Sequence, residues 1–116
     1  MKKFLLALAG VLMLVQGASA EPVGGATCRA AGVYAYSTHD FDVTLYGAEA
    51  SLISVRGDTD TDLDLYVYDQ FGNLIASDTD ATDQCLVAVV PDSTGHFMIR
   101  VVNRGNVYND FSICAL

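Results

Sequence analysis

Basic side chains are scarce in this chain: six lysines and arginines stand against fourteen aspartates and glutamates, for a formal charge of −8. The shortage deepens past the first residues, because Lys2 and Lys3 are the only lysines and four arginines remain, Arg29, Arg56, Arg100 and Arg104. Such a balance excludes nucleic acid as a partner, which calls for clustered cations, and favours metal ions, basic surfaces and solubility. Histidine is limited to His39 and His96. A hydrolase would need one of them beside a nucleophile such as Ser37, Ser54 or Cys85, and no nucleophile elbow or other catalytic motif surrounds any of these. Cysteine occurs three times, at Cys28, Cys85 and Cys114, without the C-x-x-C spacing of a zinc site. Helical periodicity is missing beyond residue 20, and no later apolar run approaches the roughly 20 residues that cross a bilayer.

The first twenty residues have the form of a secretory leader, with Lys2 and Lys3 before an apolar run from Phe4 to Val15 and the small residues Ala18, Ser19 and Ala20 at its end. Cleavage before Glu21 leaves 116 − 20 = 96 residues, enough for one small domain, and takes the charge from −8 to −10 because both lysines leave. A secreted or periplasmic location follows, with an oxidising environment for the cysteines. Three pairings are open, each leaving one free thiol. Joining Cys28 to Cys114 closes the longest loop and stabilises most, by about 4 to 5 kcal/mol in a chain-entropy model.

Residues 21–36 are rich in glycine and alanine with little to bury, and are expected to form a flexible arm ahead of a domain over 37–116. Thereafter the apolar period is two: Phe41, Val43 and Leu45; Ile53 and Val55; Leu63, Leu65 and Val67; Cys85, Val87 and Val89; Phe97, Ile99 and Val101. Turn signals at Gly47, Gly57, Gly72, Pro91, Gly95 and Gly105 cut this pattern into short strands. The prediction is all-β, a β-sandwich or jelly roll of about seven or eight antiparallel strands. The stretches Leu86–Val90 and Met98–Val102 are apolar on both sides, so their outer faces are expected to be partly covered.

Eight aspartates and no cation lie in the 27 residues from Gly57 to Asp83. A three-residue loop Gln70, Phe71, Gly72 puts Gly72 where positive φ is wanted and sets Asp69 opposite Asn73. Counting back pairs Val67 with Ile75, Tyr66 with Ala76, Asp64 with Asp78, and brings Asp62 towards Asp80. Each opposed carboxylate pair costs about 1 kcal/mol in water and about 3 kcal/mol at an effective dielectric near 20, so the cluster calls for a cation or full solvation. Asp58, Asp60, Asp62, Asp64, Asp78, Asp80 and Asp83 are therefore candidate calcium ligands, since calcium takes about six to eight hard oxygens. The D-x-D-x-D run is not an EF-hand, because Leu63 stands where that loop needs glycine. The competing reading is a solvated acidic turn that guards a sheet edge. A second candidate is the face carrying Tyr66 and Tyr68 with Met98 and Arg100 on a neighbouring strand, a combination that suits sugar rings or extended peptides and that also covers ordinary sheets.

The run GDTDTDLDLYVYDQFGNLIASD, with the later TGHFMIRV strand and the VYN at Val107–Asn109, resembles the bacterial pre-peptidase C-terminal domain over about Asp40 to Phe111. The resemblance implies a β-sandwich of secreted proteins that usually trails a peptidase, and some relatives in collagenases bind calcium and collagen. Only Glu21 is acidic between Ala20 and Asp40, so the acidic linker of the collagen-binding relatives has no counterpart and collagen binding is not carried over. Any peptidase partner is expected as a separate secreted chain. The expectation is a non-catalytic binding or accessory module, calcium-stabilised, for an extracellular or envelope protein or polysaccharide. The alternative is a metal-independent structural or protein-interaction domain of the envelope.

Overall fold

The computed structural model describes residues 21–22, 28–58 and 61–115; residues 1–20, 23–27, 59–60 and 116 lie outside the described residues, and with them the expected secretory leader. Among the described residues nine strands follow in chain order: β1 Glu21–Pro22, β2 Cys28–Val33, β3 Thr38–Leu45, β4 Ser51–Gly57, β5 Leu63–Tyr68, β6 Leu74–Asp78, β7 Gln84–Val89, β8 Gly95–Asn103 and β9 Asn109–Ala115. They form a five-stranded sheet, β1-β3-β8-β5-β6, against a four-stranded sheet, β2-β9-β4-β7. Apart from the two-residue β1, which runs parallel to β3, every pairing is antiparallel, and the all-β sandwich expected from the periodicity is what forms.

Alternation fixes which side of each strand is buried. Phe41, Val43 and Leu45 of β3, Leu63, Leu65 and Val67 of β5, and Phe97, Ile99 and Val101 of β8 line the inside of one sheet. Facing them are Ile53 and Val55 of β4, Cys85, Val87 and Val89 of β7, and Phe111, Ile113 and Ala115 of β9. Each large side chain so buried stabilises by about 1.5 to 3 kcal/mol relative to exposure. The outer faces differ. Met98, Arg100 and Val102 are half-buried, whereas Leu86 and Val90 are about 60% exposed, contrary to the cover expected for both stretches. The reason is position: β8 is central in its sheet and β7 is an edge.

Two further expectations need correction. Residues Cys28–Val33 do not belong to an arm; they are β2, paired with β9 from Cys28 opposite Cys114 to Val33 opposite Asn109. The composition hid this strand because its small residues serve close packing. Tyr108 lies over Gly32 so closely that a Cβ there would overlap the phenol, and the Cys28–Cys114 disulfide ties the far end. Cys85 is the free thiol and is buried.

The second correction concerns the β5–β6 register. The turn is as expected: Asp69 N–H donates to the Asn73 carbonyl at 2.9 Å, Gly72 N–H donates to the Asp69 carbonyl at 3.1 Å, and Gly72 has φ of 86°. Tyr68 then faces Leu74, but Val67 faces Ala76, so Ile75 is the extra residue of a bulge. From there the register is displaced by one residue, which puts Tyr66 opposite Ser77 and Asp78 opposite Leu65 rather than Asp64. The slip removes the predicted Asp64–Asp78 repulsion.

Candidate functional site

The register shift separates Asp78 from Asp64 across the ladder, while Asp80 still adds its charge at Asp62. Asp78 reaches across to the other sheet, where its Oδ2 accepts the Leu86 N–H at 2.9 Å. Asp80 closes its own turn, accepting from the Thr82 N–H at 3.0 Å and the Thr82 hydroxyl at 2.8 Å. Asp83 packs against Gly57 so closely that a Cβ there would meet the carboxylate, and Asp58 lies beside Asn109, whose Oδ1 accepts the Asp58 N–H at 3.2 Å. Among the described residues no three histidine, cysteine, aspartate or glutamate side chains converge as a metal-binding group. Asp60 lies outside the described residues.

Asp62, just ahead of β5, and Asp64, within it, remain together, close enough that the Asp64 carboxylate acts directly on Asp62. Asp64 is buried, and its Oδ2 accepts from Arg104 Nε at 2.9 Å and from the Tyr66 hydroxyl at 3.4 Å. One oxygen of each carboxylate, Oδ1 of Asp62 and Oδ1 of Asp64, is buried without a hydrogen-bond partner. Burial, then the adjacent Asp64 charge, raises the pKa of Asp62. Two unpartnered acceptors held side by side have the chemistry of a cation or proton site.

The tyrosine face is assembled by the registers of β3, β8 and β5. Arg100 stands between Asp40 and Tyr66, and Met98 between Asp42 and Tyr68, all on the outside of the five-stranded sheet. Arg100 grips Asp40 through two bonds, Nε to Oδ1 at 2.8 Å and Nη2 to Oδ2 at 3.0 Å, with its guanidinium carbon 5.8 Å from the Tyr68 ring centre. The Tyr66 and Tyr68 rings are 6.4 Å apart and inclined by only 25°. Arg104 extends the row, donating through Nη2 to the Tyr66 hydroxyl at 3.0 Å while its Nε holds Asp64. The structure therefore brings the predicted Tyr66, Tyr68, Met98 and Arg100 into one surface and adds Asp40, Asp64 and Arg104. Arg104 gave only a turn signal in the sequence; the chain from β8 to β9 folds it back over β5. That connection is held by the buried Asn103, which donates to the carbonyls of Val33 and Val107 at 3.2 and 2.8 Å and accepts the Gly105 N–H at 2.8 Å.

His96 shares this outer side, two residues before Met98 on β8, whereas His39 and the free thiol sit apart from it. His39 Nδ1 is 2.9 Å from the Gly32 carbonyl oxygen, with the ring stacked on Phe41. Cys85 donates to the Leu63 carbonyl at 3.1 Å, and burial, then nearby acids led by Asp78, push its pKa up to about 12. A thiol held protonated in this way is a poor nucleophile.

No family model and no curated sequence matches this chain. Solved structures do match in fold. The chain is similar to the pre-peptidase C-terminal domain of a Bacillus anthracis collagenase, at 13% identity over 78% of this chain and 88% of that one, with a TM-score of 0.63. It is also similar to Aeromonas hydrophila PliG, a periplasmic inhibitor of g-type lysozyme, at 14% identity over 78% and 88% of the two chains and a TM-score of 0.53. A third similar structure is PirA, at 14% identity over 78% and 94% of the two chains and a TM-score of 0.55. At these identities the likeness is one of fold.

Proposed function

We propose that this protein is a secreted or periplasmic, non-catalytic binding module that lays an extended polysaccharide across the outer face of its five-stranded sheet. The observation that carries this reading is the row formed by Tyr66, Tyr68, Arg100 and Arg104. Two near-parallel rings offer flat apolar surface to sugar faces, and charged groups already fixed by partners flank them with hydrogen-bonding capacity. Ordering of Arg100 by Asp40 and of Arg104 by Asp64 lowers the entropy lost on binding. The disulfide between β2 and β9 fits an oxidising compartment, and the resemblance to pre-peptidase C-terminal domains fits an accessory module.

Calcium belongs to the same proposal. The unpartnered oxygens of Asp62 and Asp64 fit a hard cation, with backbone carbonyls and water completing its shell. In that place the ion would neutralise the paired carboxylates beside Arg104 and firm the edge of the ligand face.

Binding is tested by isothermal titration against neutral and acidic soluble polysaccharides. Tyr66→Ala and Tyr68→Ala are each expected to weaken a positive by about 1 to 2 kcal/mol, the worth of one stacking aromatic, with the unfolding midpoint retained. Absence of any polysaccharide binding, or binding indifferent to both substitutions, rejects the face. A protein-binding role for the same face would then be read from binding to envelope proteins that both substitutions abolish.

A further inference from the structure

Outside the tyrosine face, apolar side chains are exposed where the two sheets end side by side. Phe71, Leu74 and Ile75, on the β5–β6 turn and β6, and Leu86 and Val90, on and just past β7, are 40% to 79% exposed. Each strand is the last of its sheet, β6 beyond β5 and β7 beyond β4. Between them opens a cleft of about 330 Å³ walled by Phe71, Ile75, Ala88, Val90, Pro91 and Phe97, with Asp69 and Asp92 at its rim. An apolar surface of this kind beside an open sheet edge is a place for another chain.

The ladder shows where the backbone of β7 points. Successive residues of an antiparallel strand direct their polar groups to alternate sides. The Leu86 N–H turns away from β4 and is closed by Asp78 Oδ2. Ala88, two residues on, therefore presents its N–H and C=O to the same outer side, along the cleft. Asp78 blocks one end of the edge and so sets where an added strand could start. Charge selects the occupant. The chain carries a net charge of −8, and two of its acids, Asp69 and Asp92, line the cleft, so a second copy meets repulsion and a cationic segment meets attraction.

We propose that this cleft takes an extended peptide segment of a basic protein, which adds to β7 as a strand, sets alternate apolar side chains between β6 and β7, and places flanking lysine or arginine against Asp69 and Asp92. Backbone bonds to Ala88 supply register, and the cleft supplies preference for alternating apolar residues.

The probe is a short fluorescein-labelled peptide that alternates valine and threonine and carries lysine at each end, followed by anisotropy and by amide chemical shifts of the protein. Saturable binding is expected, with the largest shifts at Ile75, Ala88 and Val90. Ala88→Pro removes only an outward donor, leaving the ladder to β4 intact, and is expected to weaken the peptide about tenfold. The same peptide ended in glutamate is expected to bind more weakly, and Tyr66→Ala to leave the lysine peptide unaffected. Val90→Lys places a like charge in the cleft and gives a second reading should the proline variant fail to fold. Undetectable binding, equal affinity for the two peptides, or affinity unchanged in a folded Ala88→Pro or in Val90→Lys overturns the proposal. So does a dimer in sedimentation equilibrium that Ala88→Pro dissolves, which would make a second copy the occupant.

Discussion

Asp62 carries a standing electrostatic cost. Its pKa is raised above the ordinary aspartate range, first by burial and then by the charge of Asp64. A carboxyl whose pKa is higher folded than unfolded holds its proton more tightly in the fold, so stability declines as pH rises through the interval between the two values. Below that interval both states are protonated and the cost vanishes. Asp62→Asn is thus expected to stabilise the metal-free protein at neutral pH by about 1 kcal/mol, a solvent-screened figure for one close carboxylate pair. The gain should disappear below about pH 4, near the unfolded carboxylate range. Chemical denaturation of the two proteins at both pH values checks this, and a destabilised Asn variant at neutral pH would show that the ionised carboxylate has a stabilising partner. Asp64 differs from its neighbour because Arg104 holds its Oδ2, and this contrast between two adjacent acids is invisible in the D-x-D spacing.

The elements were legible wherever one face of a strand had to be apolar. Phe41, Val43 and Leu45, or Phe97, Ile99 and Val101, announce buried faces by their spacing, and these residues are the core. β2 was not legible because its work is done by backbone pairing, by Gly32 beneath Tyr108 and by a covalent bond. The bulge at Ile75 escaped for another reason: a turn fixes register only as far as the ladder stays regular, and one extra residue reassigned every acid beyond it. Tyr66, Tyr68 and Arg100 could be placed on one face by strand parity, whereas Arg104 needed the return of the chain from β8. At this scale the disulfide is the restraint that keeps β2 on β9. It spans 86 residues of sequence, and replacing Cys28 and Cys114 together by serine is expected to cost about 4 to 5 kcal/mol in the chain-entropy model. Amide exchange should accelerate most over Cys28–Val33, because this edge strand can open by itself. Uniform acceleration across all strands would instead make β2 part of the single global unfolding unit.

For the whole molecule, acidity has two consequences that must be separated before any cation is credited with a site. Fourteen acids against six bases repel one another in the compact state, so salt of any kind is expected to raise the unfolding temperature by screening over a Debye length of about 10 Å at 0.1 M. A bound calcium ion acts differently, stabilising by mass action. With a dissociation constant of about 0.1 to 1 mM, as in extracellular sites, calcium at about 10 mM contributes about 1 to 3 kcal/mol, a rise of several degrees for a domain of this size. The comparison is therefore between calcium, magnesium and sodium chloride at equal ionic strength, in wild type and Asp62→Asn. A rise specific to calcium in wild type and absent from the variant places the ion at the two unpartnered oxygens of Asp62 and Asp64. The same rise in both proteins moves it to other acids, and equal shifts with all three salts leave screening as the whole effect. In that last case Asp78, Asp80 and Asp83 act through the hydrogen bonds and close packing they already have, and the tyrosine face works without metal.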